Sequence, residues 1–551
     1  MTRTGGQILV DQLRVHGVDT AFCVPGESYL AVLDALHDSE IRLIVCRHEA
    51  GAANMAEAYG KLTGRPGICL VTRGPGATHA SVGVHTAFQD STPLLLLVGQ
   101  VARGMLGREA FQEIDFRAMF APVAKWADQV ESADRVPELV GRAFATATAG
   151  RPGPVVLALP EDMLSEETDA ADAAPSVAVR AHPGADDLER LRDLLAGAER
   201  PLVLVGGGGW SAGAAEDMLA FCEGSELPVG TSFRCQDYVD NHSRVYVGHV
   251  GIGPDPKLAA RVREADVLLV VGARLGEATT GGYTLVEPPR PRQTLVHVHA
   301  DPEELGRVYG PALAINAGSP QFAAAARALE PLDPAAWRVE TQRARADYRA
   351  NLRHGSLPGE LDLGEVLAHL RDRLPEDAIL TNGAGNFSIW PHRFYEYRHY
   401  RTQLAPTSGA MGYGVPAAVA AKLVHPERTV VCFAGDGDFL MTGQELATAV
   451  QYALPFVVLL VNNGMYGTIR MHQERQYPGR VVGTELVNPD FAAYAEAFGA
   501  HGEMVERTDD FAPAFERALE ARRPALLELR VDPEAITPRQ TLTEIREAAQ
   551  R

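Results

Sequence analysis

Short apolar runs alternate along the whole chain with longer, Ala-rich stretches of helical periodicity. The runs are rich in Val, Leu and Ile and do not alternate with polar residues, which is typical of strands buried on both faces. Because successive parallel strands need a crossover connection, usually a helix, this pattern predicts an α/β protein built on open parallel sheets. The predicted strands include 42–46, 67–72, 93–98, 154–159, 201–205, 267–271, 294–299, 378–381, 429–434, 455–461 and 525–531. The predicted helices include 50–63, 137–148, 186–198, 364–374, 443–453 and 510–521.

The length of 551 residues is too great for one hydrophobic core, so the chain should divide into domains. Two segments have the composition of linkers: residues 165–184 are acidic, Ala-rich and interrupted by Pro, and residues 329–359 are charged and partly helical. Cutting there predicts three open parallel-sheet domains, at 1–165, 185–335 and 360–551, each of ordinary domain size.

The composition excludes several classes of protein. Hydrophobic residues make up 46% and charged residues 22%, as in a globular chain rather than a disordered one. The net charge of −20 opposes binding to nucleic acid or to an anionic membrane surface. No apolar stretch approaches the roughly 20 residues that span a bilayer, and the N-terminal segment lacks the apolar core of a secretory signal.

The six cysteines are scattered, and no two stand at a C-x-x-C spacing. This pattern argues against a zinc site or a disulfide framework and fits a reducing compartment. We therefore expect a cytoplasmic protein that acts on small molecules, with no nucleic acid and no membrane as partner.

The sharpest chemical signal lies at the ends of two successive predicted strands in the third domain. The first strand runs into Gly-Asp-Gly-Asp at 435–438 and the next into Asn-Asn-Gly at 462–464. Since one helix and one strand separate them, both turns should lie at the same carboxyl edge of a parallel sheet, where α/β proteins bind ligands. Gly-rich turns before helices favour an anion, and the oxygens of Asp436 and Asn463 suit Mg²⁺. The alternative is a pair of turns with no ligand, and the interval between the motifs makes it the weaker interpretation.

These turns belong to a longer series of motifs that covers nearly the whole chain. In order it reads VPGE, RHEAGAANMAEAYGKLTG, VTRGPGATH, QDSTPLLLLVGQV, EAFQE, GRPGPVVLALPEDM and TSGAMGYGVPAAVAAKL, followed by the two turns. Together the motifs resemble those of thiamine-diphosphate-dependent enzymes of the acetolactate synthase-like superfamily, which includes pyruvate decarboxylase, benzaldehyde lyase, oxalyl-CoA decarboxylase and pyruvate oxidase. The resemblance implies a pyrimidine-binding domain at 1–165 and a diphosphate-binding domain at 360–551, flanking a Rossmann-like middle domain at 185–335.

The resemblance implies a role for each matching residue. Glu49 matches the glutamate that hydrogen-bonds the aminopyrimidine ring of the cofactor and favours its imino tautomer, whose nitrogen takes the proton from C2 of the thiazolium ring. Taken by itself, Glu49 would be interpreted as a glutamate at the start of helix 50–63, where its charge suits the helix dipole. Met411 matches the bulky residue that wedges between the cofactor rings, and the alternative for it is ordinary core filling. Gly409 matches a backbone contact to the exocyclic amine.

The same resemblance implies a metal site and a diphosphate site. Mg²⁺ would be bound by the side chains of Asp436 and Asn463 and by the backbone carbonyl of Met465. The residues that would line the diphosphate are Gly437, Asp438, Tyr466, Gly467, Gly385 and Asn386.

On the substrate side, Gly26 matches the loop that faces C2, and Phe111 and Gln112 match a Phe-Gln pair of acetolactate synthases. For that pair, an ordinary amphipathic helix is the alternative. Two positions depart from the family: Glu161 stands where acetolactate synthases have a lysine, and Arg73 stands where a small residue is usual. Arg73 could bind a substrate carboxylate in bidentate fashion, and a structural ion pair with an acid is the favoured interpretation. His79 and Asn54 also replace residues that are commoner in the family.

The middle domain has a Gly-rich turn after a strand, at 206–209, which by itself is weak evidence for a dinucleotide fold. Members of the family use this domain for FAD, for ADP or for no ligand. Residues 271–276 resemble a stretch near the flavin in acetolactate synthases, but the charged residues that follow there are absent here. FAD is therefore not favoured as a required cofactor.

The function implied is thiamine-diphosphate- and Mg²⁺-dependent decarboxylation of a small 2-oxo acid, carboligation of the resulting enamine to a carbonyl acceptor, or both. The alternatives are a carbon–carbon lyase or an acyl-CoA decarboxylase of the benzaldehyde lyase or oxalyl-CoA decarboxylase type, or a flavin-containing 2-oxo acid oxidase. In this family the glutamate acts on a cofactor held by the partner subunit, so a homodimer or a dimer of dimers with active sites at the interface is implied.

Overall fold

Three six-stranded parallel sheets form the framework of the protein, which a computed structural model describes over residues 2–551. All neighbouring strands within these sheets run parallel. The prediction of an α/β protein with three parallel sheets is therefore confirmed.

The first sheet is built from the N-terminal part of the chain. The strands of this part are β1 (Arg3–Thr4), β2 (Thr20–Cys23), β3 (Arg42–Val45), β4 (Gly67–Val71), β5 (Leu94–Gln100), β6 (Trp126–Gln129), β7 (Pro154–Pro160) and β8 (Glu167–Thr168). The sheet order is β3-β2-β4-β5-β7-β6, while β1 and β8 form a separate antiparallel pair. The helices are α1 (Gly5–Val15), α2 (Leu30–His37), α3 (Glu49–Thr63), α4 (Gly74–Asp90), α5 (Phe116–Phe120), α6 (Val136–Thr148) and α7 (Glu161–Ser165), with 3₁₀ turns at Glu27–Tyr29, Arg103–Met105 and Ala133–Arg135.

Helices α3 and α4 pack closely because small residues line their contact. A Cβ on Gly83 of α4 would lie 2.4 Å from Cβ of Ala53 on α3. The N-cap of α3 is His48, whose side chain accepts a hydrogen bond from the N–H of Ala50, and the helix ends at Gly64, which has a φ of 73°. This packing brings the first turns of the two helices together.

The middle part of the chain forms the second sheet. Its strands are β9 (Pro201–Val205), β10 (Val229–Thr231), β11 (Tyr246–His249), β12 (Val267–Val271), β13 (Thr294–His299) and β14 (Leu313–Asn316), in the order β11-β10-β9-β12-β13-β14. Its helices are α8 (Ala185–Ala196), α9 (Ala212–Gly224), α10 (Pro256–Glu264), α11 (Glu277–Thr280), α12 (Ser319–Arg327) and α13 (Arg338–Asn351), with 3₁₀ turns at Gln236–Tyr238 and Pro334–Ala336.

The C-terminal part forms the third sheet. Its strands are β15 (Ile379–Asn382), β16 (Gln403–Leu404), β17 (Val430–Gly435), β18 (Val457–Asn462), β19 (His501–Val505) and β20 (Ala525–Arg530), in the order β16-β15-β17-β18-β20-β19. Its helices are α14 (Leu363–Arg373), α15 (Ile389–Phe394), α16 (Gly414–Val424), α17 (Asp436–Phe439), α18 (Leu446–Gln451), α19 (Gly467–Gln476), α20 (Phe491–Ala497), α21 (Thr508–Glu520) and α22 (Leu542–Gln550), with 3₁₀ turns at Asn386–Ser388 and Gly443–Glu445.

The predicted elements match this structure in position, with two kinds of difference. The predicted helix 443–453 is a 3₁₀ turn followed by the short helix α18. In the three six-stranded sheets, the strands outside the predicted set are β6, β11, β14, β16 and β19, which lie at sheet edges, and β2 and β10, which lie inside their sheets. Most of the edge strands carry mixed polar and apolar residues that resemble loops, and β2 and β10 are only four and three residues long.

The chain divides into two compact units. The first consists of the chain up to Val179 with Val419–Pro426 and Thr442–Tyr452, and it holds the first sheet. The second consists of Arg180–Ala418, Glu427–Met441 and Ala453–Arg551, and it holds the other two sheets. Within residues 2–551, every helix is too short or too polar to cross a lipid bilayer.

Candidate active site

Glu49 lies at the first position of helix α3, and its side chain is only 13% exposed. Its carboxyl oxygen Oε2 lies 3.0 Å from Nδ1 of His79, which belongs to the neighbouring helix α4. A Cβ on Gly76 would lie 3.6 Å from the other carboxyl oxygen, so the first turn of α4 packs against it. Glu49 is therefore a largely buried carboxyl between two helices, and not the solvated helix-start glutamate of the alternative interpretation.

A second glutamate, Glu445, fixes the backbone at the start of α3. Its carboxylate accepts hydrogen bonds from the N–H groups of Arg47, at 3.1 Å, and of His48, at 3.0 Å. Gly51 is required nearby, because a Cβ there would lie 2.3 Å from Oε1 of Glu445. Burial raises the pKa of Glu445, although its hydrogen bonds act in the opposite direction. Sequence reasoning missed this residue, because about 400 positions separate it from the turn that it holds.

The Gly26 segment lies directly against Thr72, at the end of strand β4. A Cβ on Gly26 would lie 2.4 Å from Cβ of Thr72, so only glycine permits this approach. The hydroxyl groups of Ser28 and Thr72 are 2.8 Å apart and fasten the two segments. The loop predicted to face C2 of the cofactor is therefore held at the carboxyl edge of the first sheet.

Phe111 and Gln112 lie in a turn, so the amphipathic-helix alternative for this pair is wrong. Gln112 has a φ of 66°, and its carbonyl accepts a hydrogen bond from the N–H of Gly74 at 2.9 Å. The Phe111 side chain is 74% exposed, while Oε1 of Gln112 is buried and has no hydrogen-bond partner among residues 2–551. A strained turn that holds an unpaired amide oxygen is typical of a ligand-facing segment.

Arg73 forms an ion pair with an acid of the protein, which was the favoured prediction for this residue. Its guanidinium donates a hydrogen bond of 2.6 Å to the carboxylate of Glu161, the residue at the position of the family lysine. Glu27 lies 3.9 Å away on the other side of the guanidinium. Two acids and one arginine therefore stand at the edge where acetolactate synthases have a lysine.

In the third sheet, β17 and β18 are neighbouring parallel strands, so Asp436 and Asn463 follow adjacent carboxyl ends, as predicted. Asp436 is 3% exposed. Its carboxylate accepts hydrogen bonds from the N–H of Gly437, at 3.0 Å, and from the side-chain amide of Asn488, at 2.8 Å. Burial raises the pKa of Asp436, and the Asn488 hydrogen bond partly offsets that effect.

Asn488 is a residue of this edge that sequence reasoning missed. Its amide also donates to the side-chain oxygen of Asn462, at 3.0 Å, so it joins the ends of both strands. Its own Oδ1 is buried and finds no hydrogen-bond partner in the part of the chain that the structure describes. An Asn before Pro489 carries no sequence signal beyond that of a turn.

The loop after β18 is fixed from both sides. Oδ1 of Asn463 accepts a hydrogen bond from the N–H of Met465 at 3.2 Å, and the N–H of Tyr466 donates to the carbonyl of Thr484 at 2.9 Å. A Cβ on Gly437 would lie 2.5 Å from the Tyr466 ring, so the two turns approach too closely for any other residue there. Helix α19 then begins at Gly467.

The side chain of Asp438 binds the backbone of two further loops. Its Oδ1 accepts hydrogen bonds from the N–H groups of Ala384, at 3.0 Å, and of Gly412, at 2.9 Å. Burial raises the pKa of Asp438 to about 7, against the lowering effect of these bonds and of the nearby Arg234. The Asp438 side chain is therefore committed through Oδ1 to the backbone of two other loops.

The two loops that Asp438 joins contain the remaining predicted positions. Gly385 has a φ of 158° and begins the 3₁₀ turn Asn386–Ser388. The side-chain amide of Asn386 donates a hydrogen bond of 3.0 Å to the backbone carbonyl of Ile536, so this amide already has a partner within the protein. Gly409 has a φ of 71° and open space where a Cβ would lie, and Met411 follows two residues later in the same loop.

The donor chemistry of this edge fits Mg²⁺ and a diphosphate. It offers carboxylate and amide oxygens from Asp436, Asn463 and Asn488, including the unpaired buried oxygen of Asn488, and Mg²⁺ prefers such hard ligands. Helix α19 starts at the same edge, where its first N–H groups suit phosphate oxygens.

In the middle domain, the Gly-rich turn has a packing role. Gly207 has a φ of 76°, and a Cβ there would lie 2.0 Å from the carbonyl oxygen of Gly272, in the turn after the neighbouring strand β12. This close contact accounts for glycine at Gly207 without any ligand.

Comparison with known proteins matches three successive parts of the chain to domains of one enzyme family. Residues 3–119 match the N-terminal TPP binding domain of thiamine pyrophosphate enzymes, residues 188–326 match the central domain, and residues 383–529 match the C-terminal TPP binding domain. Among curated relatives, the acetolactate synthase isozyme 2 large subunit of Escherichia coli is 32% identical over 96% of this chain and 95% of its own length. The acetolactate synthase large subunit of Parasynechococcus marenigrum is 34% identical over 96% of this chain and 88% of its own length.

These matches run in the order of the motifs and extend across all three sheets. Two of the three domain matches are cofactor-binding domains, and they contain Glu49 and Asp436 respectively. The chain therefore belongs to the acetolactate synthase-like superfamily of thiamine-pyrophosphate-dependent enzymes.

Proposed function

We propose that the protein decarboxylates a small 2-oxo acid, with thiamine diphosphate and Mg²⁺ bound, and joins the remaining fragment to a carbonyl acceptor. The observation that carries this proposal is the near full-length similarity to acetolactate synthases together with a largely buried Glu49. When bound, thiamine diphosphate supplies a thiazolium carbon that attacks a carbonyl and accepts the electrons released with CO₂. Pyruvate is the simplest donor for such a reaction.

Glu49 is the proposed acid–base group of the chain. Its position at the start of α3 and its packing under α4 hold Oε1 and Oε2 in a fixed place with little exposure to water. Such a carboxyl can give and take a proton at one atom repeatedly without losing its orientation. Gln112, whose Oε1 is buried and unpaired among the described residues, is proposed to accept a hydrogen bond from the substrate.

The proposed metal ligands are the side chains of Asp436 and Asn463 and the carbonyl of Met465. They follow neighbouring strands, and Asn488 orients the Asp436 carboxylate through its amide. The residues proposed to contact the cofactor beside them are Gly26, Gly385, Asn386, Gly409, Met411, Gly437, Asp438, Tyr466 and Gly467.

We further propose a homodimer, or a dimer of dimers, in which Glu49 of one chain meets the diphosphate edge of another. Isologous contact between identical surfaces is the commonest route to such an assembly. A cytoplasmic location is proposed because all six cysteines are buried free thiols, which suits a reducing compartment.

The proposal is tested by incubating the purified protein with ¹³C-labelled pyruvate, thiamine diphosphate and Mg²⁺, with and without added 2-oxo acid or aldehyde acceptors. We expect release of labelled CO₂ and a labelled coupling product in the NMR spectrum, both lost in Glu49→Gln. Glu40→Gln is the matched control, because Glu40 is exposed. An active Glu49→Gln protein, or no turnover of any 2-oxo acid, would contradict the proposal.

A further inference from the structure

The side chain of Arg234 connects the middle part of the chain to two loops of the third sheet. Arg234 lies in the turn after strand β10 and is buried. Its guanidinium donates one hydrogen bond to the carbonyl of Pro406 and another, of 3.3 Å, to the carbonyl of Gly383. These two carbonyls stand in the loops that lead into Gly409 and Gly385, so a single side chain holds both loops.

The peptide group between Gly383 and Ala384 is held from both of its sides. Its carbonyl accepts the hydrogen bond from Arg234, and its N–H donates to Oδ1 of Asp438 at 3.0 Å. The same oxygen of Asp438 accepts the N–H of Gly412, in the second loop. The two loops are therefore fixed between a guanidinium and a carboxyl group, and hydrogen bonds from a charged donor are stronger than those between neutral groups.

The backbone of Arg234 is strained. Its φ of 59° lies in the left-handed region, which a long side chain rarely adopts and which glycine adopts without cost. Neighbouring contacts keep the turn in place, since the N–H of Gln236 donates to Oε1 of Gln403 at 2.8 Å and Asp237 accepts the N–H of Thr402 at 3.0 Å. An arginine retained in a conformation that suits glycine points to a role for its side chain.

We propose that Arg234 is a positioning residue for thiamine diphosphate, and that it holds the loops 383–386 and 406–411 in the arrangement that binds the cofactor. This inference rests on the proposed function, in which both loops contact the cofactor. Two nitrogens of Arg234 are directed at backbone carbonyls, so the residue acts through the loops. The middle part of the chain thereby contributes to cofactor binding through one side chain.

A second arginine makes the same kinds of contact elsewhere and serves as the matched control. Nη1 of Arg345, on helix α13, donates to the carbonyls of Asn241, at 2.8 Å, and of Tyr246, at 3.1 Å. Its guanidinium lies 5.0 Å from the centre of the Tyr348 ring, much as that of Arg234 lies 4.9 Å from an aromatic ring. The carbonyls that Arg345 holds belong to the middle part of the chain, so its loss tests the effect of a lost arginine away from the cofactor loops.

The first measurement is hydrogen–deuterium exchange of the full-length, cofactor-free protein, followed by mass spectrometry. Arg234→Met keeps a side chain of similar length and removes the charge and the donors. We expect the amides of 383–386 and 406–412 to exchange at least about tenfold faster in Arg234→Met, and at the wild-type rate in Arg345→Met. Wild-type exchange of both loops in Arg234→Met would overturn the inference.

The second measurement is calorimetric titration of thiamine diphosphate, with Mg²⁺ present, into the same proteins. Arg234→Met should bind it about 10- to 100-fold more weakly than the wild type, and Arg345→Met should bind it with wild-type affinity. Arg234→Lys should recover most of the loss, because the two carbonyls are separate acceptors and an ammonium group offers three donors. Wild-type affinity in Arg234→Met, an equal loss in Arg345→Met, or no recovery in Arg234→Lys would contradict the inference.

The urea midpoint of each variant shows whether it is folded. If Arg234→Met does not fold, Arg234→Gln takes its place, because it also removes the charge, and the same results support or refute the inference. Wild-type protein that binds thiamine diphosphate, with unchanged affinity in the Arg234 variants, would overturn this inference alone. Wild-type protein that does not bind thiamine diphosphate would overturn the proposed function as well.

Discussion

Replacing Asp438 with asparagine should remove a pH-dependent part of the free energy of unfolding. Asp438 is buried, and its Oδ1 holds the backbone N–H groups of Ala384 and Gly412. Burial raises its pKa from 3.8 to about 7, although these bonds and Arg234 lower it. An asparagine oxygen can accept the same two hydrogen bonds and never titrates.

The size and sign of this contribution to the free energy of unfolding follow from the difference between the pKa of Asp438 in the folded protein and its pKa in the unfolded chain. The shift from 3.8 to about 7 is about 3 pKa units, and at about 1.4 kcal/mol per unit it corresponds to about 4 kcal/mol. Between about pH 4 and pH 7 the folded protein keeps this proton while the unfolded chain has lost it, so stability falls as the pH rises through that window and levels off above it.

Urea unfolding of the cofactor-free protein at pH values from about 4.5 to about 8, a range that spans most of the titration of Asp438, checks this prediction. The free energy of unfolding of Asp438→Asn minus that of the wild type should rise by up to about 4 kcal/mol across the window. Asp509→Asn, at an exposed aspartate, should show no such rise. A constant difference between Asp438→Asn and the wild type would refute the reasoning.

Two further variants test packing near the candidate site. Glu474 is buried, and hydrogen bonds from Arg546 lower its pKa to about 2. The charged carboxylate therefore stabilises the folded protein at neutral pH, and this stabilisation is lost as the pH falls toward 2. Glu474→Gln should therefore cost about 3 kcal/mol at pH 7 and speed hydrogen exchange in helix α22, whereas exposed Glu547→Gln should not. Glu161→Gln should destabilise the protein to urea by about 1–2 kcal/mol, because it removes the closer of the two acids that face the buried Arg73 guanidinium and leaves only Glu27, at 3.9 Å. An unchanged urea midpoint would contradict this.

The framework could be predicted because its signals are local. Buried parallel strands such as β9, β12 and β13 are continuous apolar runs, and the predicted bounds 201–205, 267–271 and 294–299 are the observed ones. The GDGD and NNG turns follow strands that pair directly, so their common edge followed from the order of the elements.

The remaining parts of the site depend on contacts between distant segments. Glu445 holds the turn before α3 from about 400 residues away, and Asn488 joins two strand ends from a loop without periodicity. His79 was noted as unusual, but its contact with Glu49 arises from the close packing of α3 on α4, which residue spacing does not reveal.

The most direct test of the central claim is calorimetric titration of thiamine diphosphate into the cofactor-free protein, with and without Mg²⁺, for the wild type, Asp436→Ala and the exposed control Asp509→Ala. We predict Mg²⁺-dependent binding to the wild type and the control, and its loss in Asp436→Ala, because a buried carboxylate at the strand edge is a proposed ligand of the metal. Wild-type affinity of Asp436→Ala for thiamine diphosphate, or equal affinity of the wild type with and without Mg²⁺, would contradict the account.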